Sequence, residues 1–409
     1  MLALAAIAAL VWANSPAAHA YESLWQLQLG VRFESYEFVR PLHFWINDGL
    51  MTAFFFMVGL EIRWEMHEGS LSSPRRAALP VVAALGGMVV PALVFLAFNR
   101  RTATAPGWGI PIATDIAFAV GVLTVLGKRV PPPLRVFLLA LAIIDDIGAI
   151  LVIAIFYSSH FSFVGFATAA GGTLLAYTLR KLGARSAALY AGPAIAIWVG
   201  LLVAGIHPTL AGVVLGFLTP VRAWYGKQGF AATARAVADD VERASDELQV
   251  VALLHKAHTA RREAVPPAIA LRARLHSAVS FGILPLFALA NAGIAIGDAT
   301  IETREGLLTA LGVVAGLVVG KPVGVVLASV VAVKARLAVL PAGISWREML
   351  LVGIVAGIGF TMAIFIAHLA FQDEALLATA KLAVLVASLA AAVLGVTAGL
   401  LGWTSLPKW

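Results

Sequence analysis

The chain has 409 residues, 61% of them hydrophobic and 12% charged. A water-facing surface of that size needs about twice the charge, so a string of soluble domains is excluded. The absence of cysteine removes thiol catalysis, thiolate zinc sites and disulfides. The net charge of +7 would suit nucleic acid only if the basic residues shared one surface.

A membrane-crossing helix needs about 20 mostly apolar residues. Twelve such segments follow in order, near 1–17, 44–62, 77–98, 109–127, 134–157, 162–179, 188–205, 207–220, 275–296, 308–332, 347–370 and 377–402. The first is followed by Ala18-His19-Ala20 and has the look of a signal peptide. No positive region precedes its apolar stretch, however, so it reads as a span that starts abruptly at Met1.

Next comes a period of two. Leu27, Leu29, Val31 and Phe33 face one way, and Gln26, Gln28, Arg32 and Glu34 the other. That predicts a small β-hairpin over 24–40, outside the membrane and broken near Gly30 or Ser35. An isolated hairpin is marginal in water, so pairing with a second copy in a homodimer is the expected use. Between the eighth and ninth spans, 221–274 is long and polar. There Val237, Val241, Ala244, Leu248, Val251 and Leu254 recur at three- and four-residue steps, which predicts an amphipathic helix. It either packs on the inner face of the bundle or offers a regulatory surface.

Orientation follows from lysine and arginine in the connections. With the N-terminus inside, the inner connections and C-terminus carry 22 and the outer ones 5. This predicts cytoplasmic N- and C-termini. It also accounts for the basic charge through topology and anionic-lipid contact rather than nucleic acid.

Ionisable groups at membrane depth cost roughly 2.5–3.5 kcal/mol each on insertion scales, and are functional candidates by default. Here they are Asp115, Asp145, Asp146, Lys321 and Lys381. Asp115 lies in Pro111-Ile-Ala-Thr114-Asp115, where proline and a Thr-Asp pair predict an interrupted helix in span 4. Gly357-Ile-Gly359-Phe-Thr361 is the matching place in span 11. Spans 3–5 and 10–12 run in opposite senses, the pattern of an inverted repeat with paired broken helices.

Asp145 and Asp146 are adjacent on one helix and diverge by about 100°. One should face a water-filled site while the other finds a basic partner, for which Lys321 is the candidate. Burial penalises the charged form of acid and lysine alike, so such groups can trade protons. Carboxylate oxygens also suit a small hard cation. Acids that bind either proton or cation make an exchanger by competition. Lys381 reads as a snorkelling charge near a span end, or as a counter-charge to the broken helices. Glu61 and Glu65, one turn apart around Arg63, read as a solvated helix end or an acidic funnel mouth. His207 reads as interfacial packing or a pH-tuning group. His255 and His258 are too sparse for a structural metal, and no cofactor motif is present.

In its ordered motifs the chain resembles the bacterial NhaA-type sodium/proton antiporters over nearly its whole length. These include Trp45-Ile-Asn-Asp48, Gly59-Leu-Glu61, Gly86-Gly-Met-Val-Val-Pro91, Ala113-Thr-Asp115-Ile-Ala-Phe118 and Ala142-Ile-Ile-Asp145-Asp146. They continue with Thr209-Leu-Ala-Gly212, Ala290-Asn-Ala-Gly293, Gly320-Lys321-Pro322 and Gly357-Ile-Gly-Phe-Thr361. The resemblance implies an all-α inner-membrane protein of twelve spans, one domain over 1–409, with crossing broken helices at spans 4 and 11. It implies electrogenic export of Na+ or Li+ driven by proton import, regulated by pH, in a dimer formed through the hairpin. Residue by residue, it implies Asp146 as the main carboxylate for the transported ion and proton. Asp145 would alternate between Lys321 and the ion. Asp115, beside Thr114, would compensate helix-end charge. Glu61, Glu65, His207 and His276 would take part in the pH response. The chain departs from the family pattern at Arg272, where an acid is usual, and in the length of 221–274.

Rival classes fit less well. An intramembrane aspartyl protease needs two acids on separate helices, and a prenyl transferase needs spaced aspartate motifs near an interface. An organic-anion transporter of the same fold would need more cationic groups at the midplane. A channel would not need acids buried beside a lysine.

Overall fold

The computed structural model describes residues 1–33, 36–158, 161–184 and 186–401. The chain is mostly helical with one two-stranded sheet. Leu2–Ala13 (α1) and Ala18–Trp25 (α2) are bent by 116° to each other. Strands Gln28–Phe33 (β1) and Tyr36–Pro41 (β2) pair antiparallel, from Gln28 opposite Pro41 to Phe33 opposite Tyr36. Two expectations are corrected here. Leu24 and Trp25 close α2 rather than open the strand, and Gly30 lies inside β1 opposite Val39. A Cβ on Gly30 would collide with the Phe38 carbonyl oxygen, so this glycine serves close approach, not a turn. The expected break at Ser35 lies outside the described residues. Leu29 and Val31 remain exposed.

Helices follow in chain order: Leu42–Phe44 (α3), Met51–His67 (α4), Pro74–Asn99 (α5), Ile116–Leu126 (α6) and Pro132–Phe156 (α7). Then come Phe163–Lys181 (α8), Ala191–Val203 (α9), Leu210–Leu218 (α10), Gly226–Arg243 (α11) and Glu247–Glu263 (α12). Pro267–Ala278 (α13), Leu284–Asn291 (α14), Arg304–Ala315 (α15), Lys321–Lys334 (α16), Trp346–Ala356 (α17), Phe360–Ala370 (α18) and Glu374–Leu400 (α19) complete the order. Short π-helical stretches join α3 to α4, α13 to α14 and α15 to α16.

Among the described residues, seven helical segments are long and apolar enough to cross a membrane, or up to nine if each bent pair counts as one span. The helices α8, α9 and α10 occupy the remaining three expected segments and are not among the nine.

Two segments are interrupted where the sequence predicts. One runs as a 3-10 turn, Ala105–Ile112, then extended backbone at 113–115, then α6. The other breaks between α17 and α18, which bend by 48°. The two breaks meet: the Asp115 N–H donates to the Ile358 carbonyl at 2.7 Å.

The loop 221–274 differs from its expectation of one helix. The Asp246 side chain accepts from the Gln249 N–H at 2.7 Å, a cap that begins α12 afresh. Val237 of α11 is buried, whereas Leu248, Val251 and Leu254 of α12 face outward. Residues 267–274 belong to α13 and lead into the next apolar segment.

Lipid gives no hydrophobic drive between helices, so they associate by close packing of small residues. Where α5 and α16 cross, a Cβ on Gly86 would collide with the Gly324 carbonyl oxygen. This closeness brings Lys321, at the start of α16, against Gly87 of α5.

Candidate functional site

Helix α7 carries Asp145 and Asp146 midway along its length, both buried, at 0% and 4% exposure. Their neighbours differ completely. The Lys321 ammonium lies 2.7 Å from Asp145 Oδ2, with both side chains sealed from solvent. Lys321 also donates to the Ile112 carbonyl, at the end of the 3-10 turn in the first broken segment. The Thr114 hydroxyl lies 2.7 Å from the same Asp145 oxygen and 2.9 Å from the Ala356 carbonyl. Its one proton can serve only one of them at a time. Asp145 Oδ1 has no hydrogen-bond partner among the described residues, although it is buried.

Asp146 carries no hydrogen bond or ion pair among the described residues. It looks into a cavity of about 610 Å³ that Thr114, Asp115, Thr361, Glu61, Arg272 and His276 also line. Three carboxylates, one of them paired with Arg272, therefore share one space.

Asp115 stands where the two breaks cross. Its Oδ1 caps α6, accepting from the Phe118 N–H at 3.0 Å. Its Oδ2 accepts from the N–H and the hydroxyl of Thr361 at 3.1 and 2.5 Å. One carboxylate thus accepts from the N-terminal N–H groups of both half-helices, α6 and α18. Gly359 makes the crossing tight, since a Cβ there would lie 2.8 Å from Ala363 Cβ and 3.3 Å from the Ala113 carbonyl oxygen. Gly357 abuts the Leu317 carbonyl in the same way, at 2.5 Å.

The four pH-response candidates do not gather in one place. Glu61 and His276 line the cavity, and Arg272 pairs with Glu61 at 2.6 Å. Glu65, one turn on, folds back over Gly69 and is not part of the lining. His207 lies elsewhere, its Nδ1 3.4 Å from Asp48 and its ring against Phe365. That approach is within ion-pair range but lacks hydrogen-bond geometry.

Comparison with known proteins fits this geometry. The family model described as Na+/H+ antiporter 1 matches residues 1–398. The chain belongs to that family. Its relatives include "Na(+)/H(+) antiporter NhaA 2" of Sorangium cellulosum, 54% identical over 98% of this chain and 86% of the relative. The protein of the same description from Myxococcus xanthus is 51% identical over the same shares. That of Pseudomonas putida is 51% identical over 98% and 89%. A solved structure, that of the sodium proton antiporter MjNhaP1 from Methanocaldococcus jannaschii at pH 8, matches with a TM-score of 0.50. It covers 100% of this chain and 92% of that one at 13% identity, a likeness of fold.

As a member of the Na+/H+ antiporter family, the chain is a multi-pass membrane transporter of Na+ and H+ and not an enzyme. Sequence reasoning assigns no role to Thr361, to the Ile112 carbonyl or to the Glu61–Arg272 pair. For Thr361 a signal exists: a hydroxyl residue at the start of the second half-helix, facing an acid in the other break.

Proposed function

We propose that this antiporter exports Na+ or Li+ in exchange for imported protons by alternating access, with ion and protons competing for Asp146 and Asp145. The observation that carries this reading is the asymmetry at α7. Asp146 is bare at the cavity wall, and its neighbour Asp145 is held by Lys321 and Thr114. A sodium ion entering the cavity meets Asp146 first. Drawing in Asp145 as second ligand would break its pairing with Lys321. Sodium held by both carboxylates displaces the proton that each would otherwise carry, two protons for one ion, which makes the exchange electrogenic. Thr114 is positioned to offer an oxygen once Asp145 turns away.

In this reading the protein sits in the bacterial inner membrane with twelve crossings, both termini cytoplasmic, and an inverted repeat of spans 3–5 and 10–12. The cavity with Arg272 and His276 then opens to the cytoplasm. The exposed apolar residues Leu29 and Val31 support a homodimer formed through the hairpin, and Glu61 and His276 at the cavity wall support a pH-responsive mouth. Proteoliposomes provide the test. Adding sodium should drive proton flux in the wild type, and Asp146→Asn should bring it to background. Normal exchange in Asp146→Asn would overturn the assignment.

A further inference from the structure

A second cavity, of about 540 Å³, lies at the opposite end of the bundle. Helix α1 relates the two, with Leu2 lining the first cavity and Ala13 the second. So does α18: Thr361 lines the first and His368 the second, seven residues or about 10 Å further along. Between them Phe365 packs against the rings of Phe55, Phe287 and His207, with centroids 5.6, 6.3 and 5.8 Å away. This aromatic cluster sits on α18 between the residues that line the two spaces.

The second cavity is lined by charges of both signs, with its lysine set deeper than its acids. Its deep side chains are His43, His368 and Lys381. Lys381 has no ion pair or hydrogen bond among the described residues. His368 Nε2 is buried without a hydrogen-bond partner, and its ring lies 5.1 Å from that of His43. His43 is held by Asn291 at 3.0 Å and by Asn47. The acids facing the cavity, Glu22 on α2 and Glu374 on α19, are both exposed. Tyr21 of α2 is turned to the Leu289 carbonyl, and Asp48, beyond His43, is turned to His207. A sodium ion passing through this cavity would pass a lysine set deeper than the two acids of the same lining.

We propose that Lys381 sets a low sodium affinity on this face of the exchanger, so that sodium arriving from the first cavity is released here. An exporter must let go of its ion on the side where that ion is concentrated. A cation on the release route raises the energy of the bound state there without touching Asp146. One unit charge acting over about 10 Å in a partly hydrated site is worth about three- to tenfold in binding. The inference rests on the exchange reading above, and sidedness separates the two.

Inside-out and right-side-out membrane vesicles expose the two faces. In each, the sodium concentration for half-maximal exchange is measured. Lys381→Gln should lower it about three- to tenfold on the second-cavity face and leave the other face unchanged, while Lys381→Arg should match the wild type on both. An unchanged value on the second-cavity face, or an equal change on both faces, overturns the inference and leaves the exchange reading standing. Absence of sodium-driven proton flux in the wild type overturns both. Should Lys381→Gln fail to fold, Lys381→His decides. A single imidazole there should make the second-face value, taken as a ratio to the wild type at the same pH, rise as pH falls through the imidazole range, and a flat ratio would overturn the inference.

Discussion

The two faces of α7 at residues 145 and 146 carry the same side chain one position apart, yet the protein treats them in opposite ways. On one face the carboxylate is dry and held by an ammonium and a hydroxyl. On the other it is bare and looks into a cavity. The difference comes from helix geometry, since a step of about 100° separates a position that faces α16 from one that faces the cavity. Chemical identity does not fix function at membrane depth; the partner set does.

The comparison can be broken most severely at the bare face. Asp146→Asn keeps size and loses charge, and sodium-driven proton flux in proteoliposomes should fall to background. Next in size is the held face. Lys321→Ala leaves Asp145 as an uncompensated buried acid, a loss worth about 3–5 kcal/mol when one partner of a buried pair is removed. The thermal midpoint in detergent should fall clearly, and the pH profile of transport should shift. Combining it with Asp145→Asn removes the stranded charge and should recover most of the midpoint. If the double variant is as unstable as the single one, the pair is not what stabilises this face.

A smaller effect is expected from Thr114→Val. It removes one hydroxyl worth about 1 kcal/mol, so half-maximal sodium should rise about fivefold with folding intact. The smallest belongs to the cavity wall. Arg272→Gln frees Glu61 from its partner, and half-maximal sodium on that face should drop about twofold in low salt. The effect should vanish at high ionic strength, where charges beyond a few ångströms are screened. Persistence in high salt would mean that Arg272 acts through packing instead.

Much of the architecture was legible because it is local. Apolar runs of membrane length, the proline and Thr-Asp of one break and the glycines of the other need no knowledge of the fold. The divergence of Asp145 and Asp146 is likewise a property of any helix. What could not be read was who meets whom. The Thr361 hydroxyl reaches Asp115 across 246 residues, and Arg272 reaches Glu61 across 211. Separations of that size carry no periodic signal. The hairpin was readable as alternation but not in its limits, because the end of α2 continues the same apolar pattern. In 221–274, valines and leucines at helical steps run across the Ser245-Asp246 cap, and the cap divides the stretch into two helices. Lys381 reads in sequence as a snorkelling charge, since nothing near it along the chain points to His43 or His368.

Asp115 has one more consequence. By accepting from Phe118 with one oxygen and from Thr361 with the other, it rivets two half-helices from distant parts of the chain into a single piece. The backbone bond from Asp115 to Ile358 adds a second fastening. In the alternating-access reading proposed above, a motion that turns the site from one side to the other would carry both half-helices together, joined by a rivet rather than by a stretch of sequence.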